Sequence, residues 1–322
     1  MIVFLTTRQH SYTVASLCDR SFGTPTPVVA SLPYEDALLA PELPEASFIF
    51  ADVERLSPWE RLLAGDLHRA LRAAGCRCLN DPARLATRYP LLRRLHEAGR
   101  NPFRAWRLEE GTPRPAFPVF LRNEADHGRP LSALLHTPAE LAAAVAGLAA
   151  SGVSPAGVIA VEYCAEPIRP GVWRKFGSFR IGEAVSTDHA IVETDWFVKF
   201  GTMGLADDAM TEAEHAAVAG NLHAVAVGPA FELAGIEYGR ADHAAVGGRT
   251  VVYEINTNPF IGPVLEQRMP LRNETLAISR GRFAAGLAAI DGGDGRPMPV
   301  PRDAAAEERR ERCGALGLAY RP

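Results

Sequence analysis

The chemistry in this chain is concentrated in the stretch VVYEINTNPF, residues 251–260. Side chains at i and i+2 of a strand share one face, about 6.5–7 Å apart. Glu254 and Asn256 therefore project together from an otherwise apolar strand. Asp242 lies upstream, across the Gly247-Gly248 pair, in the pattern of a hairpin. A two-residue turn at those glycines would set Asp242 opposite Tyr253, facing away from Glu254. A three-residue loop, Gly247 to Arg249, sets Asp242 directly opposite Glu254, and this is the register expected. Asp, Glu and Asn on one face are hard oxygen donors. They suit magnesium, which takes one or two carboxylates and completes its shell with water and phosphate oxygens. The competing reading is of hairpin-end polar residues satisfied by water or nearby arginines.

Several cations and imidazoles fall where they would serve such a site. Arg240 precedes Asp242 by two, shares its face, and is placed to neutralise developing charge. In GVWRKFGSF, alternation sends Arg174 and Lys175 to opposite faces; Lys175 is the one expected in a cleft, a solvated face being the alternative. Arg180, further along, is expected to face the other side. Lys199, after the aromatic run DWFV, is either an anion binder or a lysine that snorkels from a core strand. His10 follows the first strand, at the carboxyl end where α/β sheets bind ligands; a surface histidine is the alternative. His189 and His243 are given no role, because a lone histidine beside strands is structural or solvated.

The elements that must position these residues read in chain order. IVFLT and SFIFAD are apolar runs of the buried parallel type. SPWERLLAGDLHRALRAAG is a helix with Ser57 as N-cap, Pro58 at its first position and Gly75 as its stop. CRCLN is a short strand. Residues 81–98 read as helical on both sides of Pro90, which should break or kink the helix. FPVFLRNEADHG is a strand entering a polar, flexible loop. Thr137 caps a helix, with Glu140 at the capping-box position, and GVIAVEYC is the next strand. A hairpin turns at Gly182-Glu183, one long helix spans 211–235, the second hairpin follows, and a last helix covers 274–290. The Pro/Gly-rich stretch 291–303 and the charged tail are expected to be loosely packed. The expected division is an N-terminal α/β unit at 1–85, a central lobe at 86–168, a C-terminal lobe at 169–292, and a linker with tail at 293–322.

A length of 322 residues with 47% apolar content allows a real core in more than one domain. The net charge of −4 argues against a basic grip on nucleic acid. Five cysteines, an odd and scattered set, point to reduced thiols in a cytoplasm; Cys76 and Cys78 form C-x-C, unlike the usual zinc or redox spacing. MIVFLTTRQH reads as a strand, not a signal peptide. No stretch reads as a membrane span.

Five pieces, in order, resemble the ATP-grasp superfamily, in the branch that includes glutathione synthetase, D-alanine–D-alanine ligase and the ribosomal-protein glutamate ligases. They are LNDPARLATRYPLLRRLHEAGRNPF (79–103), FPVFLRNEADHG (117–128), VIAVEYC (158–164), WRKFGSFRIGEAVS (173–186) and AGIEYGRADH…VVYEINTNP (234–259). The resemblance implies an α/β fold of the α+β ATP-grasp kind, with a small N-terminal domain and two lobes clasping ATP. It implies an ADP-forming ligase that works through an acyl phosphate, with one or two Mg2+ ions (or Mn2+) on Asp242, Glu254 and Asn256. ATP would be held by Arg122, His127 and Gly128, by the Glu162 acid with the Tyr163 and Cys164 backbone, by Glu166 at the ribose, and by Arg174 and Lys175. Arg240 and Lys199 would be catalytic, and His10 and Asn258 would touch substrate. The partners would be a small-molecule or peptide carboxylate and an amine or thiol, with a homodimer left open. Arg122 stands where the family usually has lysine, the loop has only Gly128, and Arg88, Arg93 and Arg94 receive no assignment. The arginine at 122 and the glycine-poor loop keep a kinase-like phosphotransferase or a non-catalytic nucleotide-binding protein as the alternative.

Overall fold

Apolar runs closed by polar residues build the first layer. In the computed structural model, which describes residues 1–111 and 114–315, strands β1 (Ile2–Thr6), β2 (Val29–Pro33), β4 (Ser47–Phe50) and β5 (Cys78–Leu79) form a parallel sheet in the order β2-β1-β4-β5. Two single-turn helices, α1 (Ala15–Cys18) and α2 (Tyr34–Ala37), and the short strand β3 (Glu42–Pro44) lie in its connections. Helix α3 (Pro58–Ala73) starts on a capping box: Ser57 Oγ accepts from Glu60 N–H, and the Glu60 carboxylate accepts from Ser57 N–H.

Helix α4 (Arg88–Glu97) begins just ahead of Pro90, so the expected kink does not occur. Pro90 sits in the first turn, where backbone N–H groups have no partner within the helix to lose. The antiparallel sheet β6-β8-β7 follows, from β6 (Ala105–Arg107), β7 (Val119–Asn123) and β8 (Val158–Glu162), with helix α5 (Pro138–Ala150) capped by Thr137.

The large antiparallel sheet runs β11-β10-β12-β13. Its strands are β10 (Val172–Ile181), β11 (Ala184–Glu193), β12 (Tyr238–Val246) and β13 (Arg249–Asn256), and β9 (Pro167–Arg169) pairs with the start of β10. The expected single helix over 211–235 is two, α6 (Asp208–Ala219) and α7 (Ala224–Ala234). The break is at Asn221, φ 51°, whose amide accepts from Thr187 N–H at 2.7 Å and donates to the Val185 carbonyl at 3.0 Å. A side chain that bonds strand backbone this way competes with helix continuation. Helix α8 (Pro270–Ile290) packs between this sheet and the N-terminal one: Phe4, Ile49 and Leu79 share a buried cluster with Phe179, Tyr238, Phe283 and Leu287.

The tail is not loose. Strand β14 (Pro297–Pro299) pairs with β3, and helix α9 (Ala304–Ala315) buries Cys313 and places Arg309 on Asp66. The fold is mixed α/β.

Asn80 joins the N-terminal sheet to the large one. It is fully buried at φ 65°; its amide donates to the Phe50 and Tyr238 carbonyls and accepts from the Glu237 and Tyr238 N–H groups. Asn80→Ala strands three buried backbone groups and the half-buried Glu237 N–H. It should cost about 2–4 kcal/mol or more in urea unfolding, since each unpaired buried group costs about 1–3 kcal/mol.

Candidate active site

The second hairpin turns differently from the expectation and still brings Asp242 opposite Glu254. Val246 pairs with Arg249 across a two-residue turn, with Gly247 at φ 54° and Gly248 at φ 75°. Positive φ at both positions is what the tight hairpin turn needs, and glycine supplies it. His243 pairs with Val252, the register then shifts, and Asp242 pairs with Glu254. The extra residue is Tyr253. A β-bulge, not a longer loop, turns the carboxylates to one face.

A second bulge lies on the same transverse line. Gly177 of β10 pairs with Asp242 on one side and His189 on the other, while Ser178 pairs with Thr187, leaving Asp188 as the extra residue of β11. His189, Gly177, Asp242 and Glu254 thus form one row across four strands. Gly177 is needed there: a Cβ would stand 3.0 Å from His189 Cε1 and 3.2 Å from Arg240 Cδ.

The row forms part of the wall of a cleft of about 820 Å3. Every residue singled out for the site reaches it: His10, Arg122, His127, Gly128, Glu162, Tyr163, Cys164, Glu166, Arg174, Lys175, Lys199, Arg240, Asp242, Glu254, Asn256 and Asn258. Alternation was expected to admit only one of Arg174 and Lys175. Lys175 Nζ meets Asp242 Oδ2 at 2.7 Å, while Arg174 also lines the wall, its guanidinium over the Phe176 ring at 4.9 Å. The reach of a long side chain overrides the strand period. Arg180 does face away, onto Glu232.

Some of these side chains are already engaged. The Glu162 carboxylate accepts from Arg104 and from the Arg104 and Ala116 N–H groups, so it holds neighbouring chain in place. Glu166 accepts from Gly247 N–H at 2.9 Å. Asn258 is a strut, its Oδ1 taking the Thr13 hydroxyl at 2.7 Å and its Nδ2 reaching the His10 carbonyl. His10 Nδ1 meets Thr7 Oγ1 at 2.8 Å.

The loop 123–128, expected to be flexible, is pinned. Buried Arg88 donates from Nη1 to the carbonyls of Asn123, Glu124 and Asp126 at 3.0, 2.8 and 2.7 Å, and from Nε and Nη2 to Glu254 Oε2. Lys199 Nζ donates to the His127 carbonyl at 2.5 Å, and His127 Nε2 meets Glu54 Oε1 at 2.9 Å. Burial works against charge on His127, but the Glu254 and Glu54 carboxylates prevail and hold the imidazole up at about 9. Burial alone would raise the Glu254 carboxyl; Arg88 and Arg122 hold it well below the usual range. Burial brings the Arg122 guanidinium down to about 10.

Sequence reasoning named Arg88 without assigning it and left out Glu54, Trp173 and Trp196. Trp173 had a usable signal, since it precedes Lys175 by two on one face. Trp196 stands beside the Phe120 and Tyr163 rings at 5.0 and 5.7 Å and, with Val161 and Phe103, gives one end of the cleft an apolar wall. Glu54 had none, because its contacts come from residues far along the chain.

One feature of the cleft suits an anion and another a divalent cation. The Nε atoms of Arg122 and Arg240 are buried without a hydrogen-bond partner. Among the described residues no group of three or more His, Cys, Asp or Glu side chains is placed to hold a metal ion. Asp242 Oδ1 and Glu254 Oε1 accept no hydrogen bond from any described group; Arg240 Nε stands 3.9 Å from the first and His127 Nδ1 3.8 Å from the second. Two carboxylates with Asn256 beside them fit magnesium by donor type.

No family model matches the chain, and no curated protein matches it. Among solved structures it is similar to the crystal structure of D-alanine–D-alanine ligase from Bacillus anthracis complexed with ATP, at 10% identity and a TM-score of 0.48, over 97% of this chain and 98% of that one. No helix among the described residues is long and apolar enough to cross a membrane.

The His127 latch has a pH signature. Its folded value of about 9 lies above the ordinary 6.5, so its contribution to stability is complete below 6.5 and disappears as pH rises through 9. The difference in thermal midpoint between the wild type and His127→Gln should therefore shrink steadily from pH 6 to pH 9.5; a constant difference would contradict the latch.

Proposed function

We propose that this chain is an ATP-dependent, ADP-forming ligase of the ATP-grasp kind, joining a small-molecule or peptide carboxylate to an amine or thiol through an acyl phosphate. One observation carries the reading: Asp242 pairs with Glu254 on a face that opens into a cleft whose Arg122 and Arg240 hold buried, unpartnered Nε atoms. A carboxylate attacking a γ-phosphate brings anion to anion, and fixed cations lower that barrier.

In this reading the apolar end, with Trp196, Phe120 and Val161, takes the adenine, and Arg122, Arg174, Lys175 and Lys199 orient the phosphates. Arg240 lies beside the acceptor carboxylate as its oxygen bonds to the γ-phosphorus and the bond to ADP breaks. Mg2+ or Mn2+ at Asp242, Glu254 and Asn256 would supply further charge neutralisation. His10 lies at the substrate end. Reduced cysteines and dependence on ATP go with a cytoplasmic setting.

A second reading, a phosphotransferase or a nucleotide-binding protein without turnover, draws on Glu254 itself, whose charge is already met by Arg88 and Arg122.

Incubation with ATP, Mg2+, pooled carboxylic acids and hydroxylamine separates these. Hydroxamate formed together with ADP is the expected result. A stable phosphorylated product without hydroxamate would mean a kinase, and nucleotide binding without ADP a binding protein. Glu254→Gln should lower Mg2+-dependent ADP release about 10²-fold or more, because it removes charge that positions the phosphates; wild-type turnover would take Glu254 out of the mechanism.

A further inference from the structure

His189 lies in the same row as Asp242 and Glu254, separated from Asp242 by Gly177, and lines the cleft. Its Nδ1 meets Asp188 Oδ2 at 2.6 Å. Residues adjacent on a regular strand face opposite ways; here the bulge at Asp188 lets the two side chains meet. Asp188 is further held by the Ser279 hydroxyl of α8. Burial would raise the Asp188 carboxyl, but His189 and Arg240 outweigh it and hold it at about 2, an ionised acceptor. An ionised carboxylate on Nδ1 fixes the tautomer and leaves Nε2 as the basic nitrogen. Among the described residues Nε2 has no hydrogen-bond partner. The charged and titratable groups around this pair are Arg240, Asp242 and His243 on β12, and Arg280 on α8.

The other bases in the row are committed. Asp242 is paired with Lys175, and Glu254 with Arg88 and Arg122.

We propose that His189 is the general base of the second half-reaction, with Asp188 as its positioning residue; this rests on the ligase reading above. The amine nitrogen attacks the acyl-phosphate carbon and the C–N bond forms. The C–O bond to phosphorus breaks, and its electron pair leaves with inorganic phosphate. His189 Nε2 takes the proton of the incoming ammonium ion before the attack and later returns it to solvent, and the second proton that the nitrogen sheds leaves on the inorganic phosphate. No oxidant or further reactant is required.

Two nucleophiles test this. Hydroxylamine is already unprotonated near neutral pH and reacts without a base, whereas an amino acid arrives as an ammonium ion. Wild type, His189→Gln and Asp188→Asn are given ATP, Mg2+ and an equimolar mixture of amino acids and short dicarboxylic acids. Amide products are scored by mass spectrometry, hydroxamate is scored after hydroxylamine is added, and thermal midpoints confirm folding. His189→Gln should lose amide formation about 10²–10⁴-fold, the usual worth of general base catalysis, while hydroxamate formation stays near wild type. Asp188→Asn should show the same split to a smaller degree. Loss of both products in parallel, or of neither, overturns the assignment and leaves the ligase standing. Wild type that makes no hydroxamate overturns the ligase reading, and this assignment falls with it.

Discussion

A buried carboxylate among guanidiniums ties the molecule together. Glu254 of the large sheet accepts from Arg88 of α4 and Arg122 of β7, so one oxygen atom joins the large sheet to a helix and to the β6-β8-β7 sheet. Arg88 also gathers three carbonyls of the 123–128 loop, and His127 carries the network on to Glu54, just after β4 of the parallel sheet. Removing one member of such a buried pair leaves an uncompensated charge, typically about 3–5 kcal/mol of destabilisation. The cleft therefore has a fixed floor. The same cluster holds more cationic than anionic groups, which suits a site for phosphates better than an isolated carboxylate would.

Chemistry at that floor depends on two β-bulges. Each adds one residue opposite β10 or β12, and both fall on the line through Gly177. The bulge at Tyr253 turns Glu254 to the face of Asp242, and the bulge at Asp188 lets a carboxylate meet the imidazole next to it. Without a side chain at 177, Arg240 and His189 can cross the strand between them. A regular sheet of the same strands would face Glu254 away from Asp242.

Much of the architecture was legible because it is local. Ser57 and Pro58 announce a helix start, the one by a hydroxyl that caps it and the other by a ring that presets φ. The alternation in WRKFGSF and the Glu254/Asn256 pair follow from strand geometry alone. Non-local contacts were not legible. Pro90 was read as a kink because the start of its helix was placed too early. The break at Asn221 needs β11 beside it. The tail reads as charged and loose until β3 and Asp66 are there to receive it. The hairpin is the instructive case: the right pairing was expected from the wrong turn, because a bulge is set by what packs on either side of a strand and leaves little trace in its residues.

The sequence alone determined which residue types stand two apart on strands, where helices are capped, and that two carboxylates, an amide and Arg240 come close along the second hairpin. Tertiary structure decided which of Arg88, Arg93 and Arg94 is buried on Glu254, which loop is pinned, and that His189 stands beside an ionised Asp188 in the same row. The reason is physical: periodicity fixes the direction of a side chain relative to its own element, whereas burial, pairing and charge state depend on groups brought in from a hundred or more residues away.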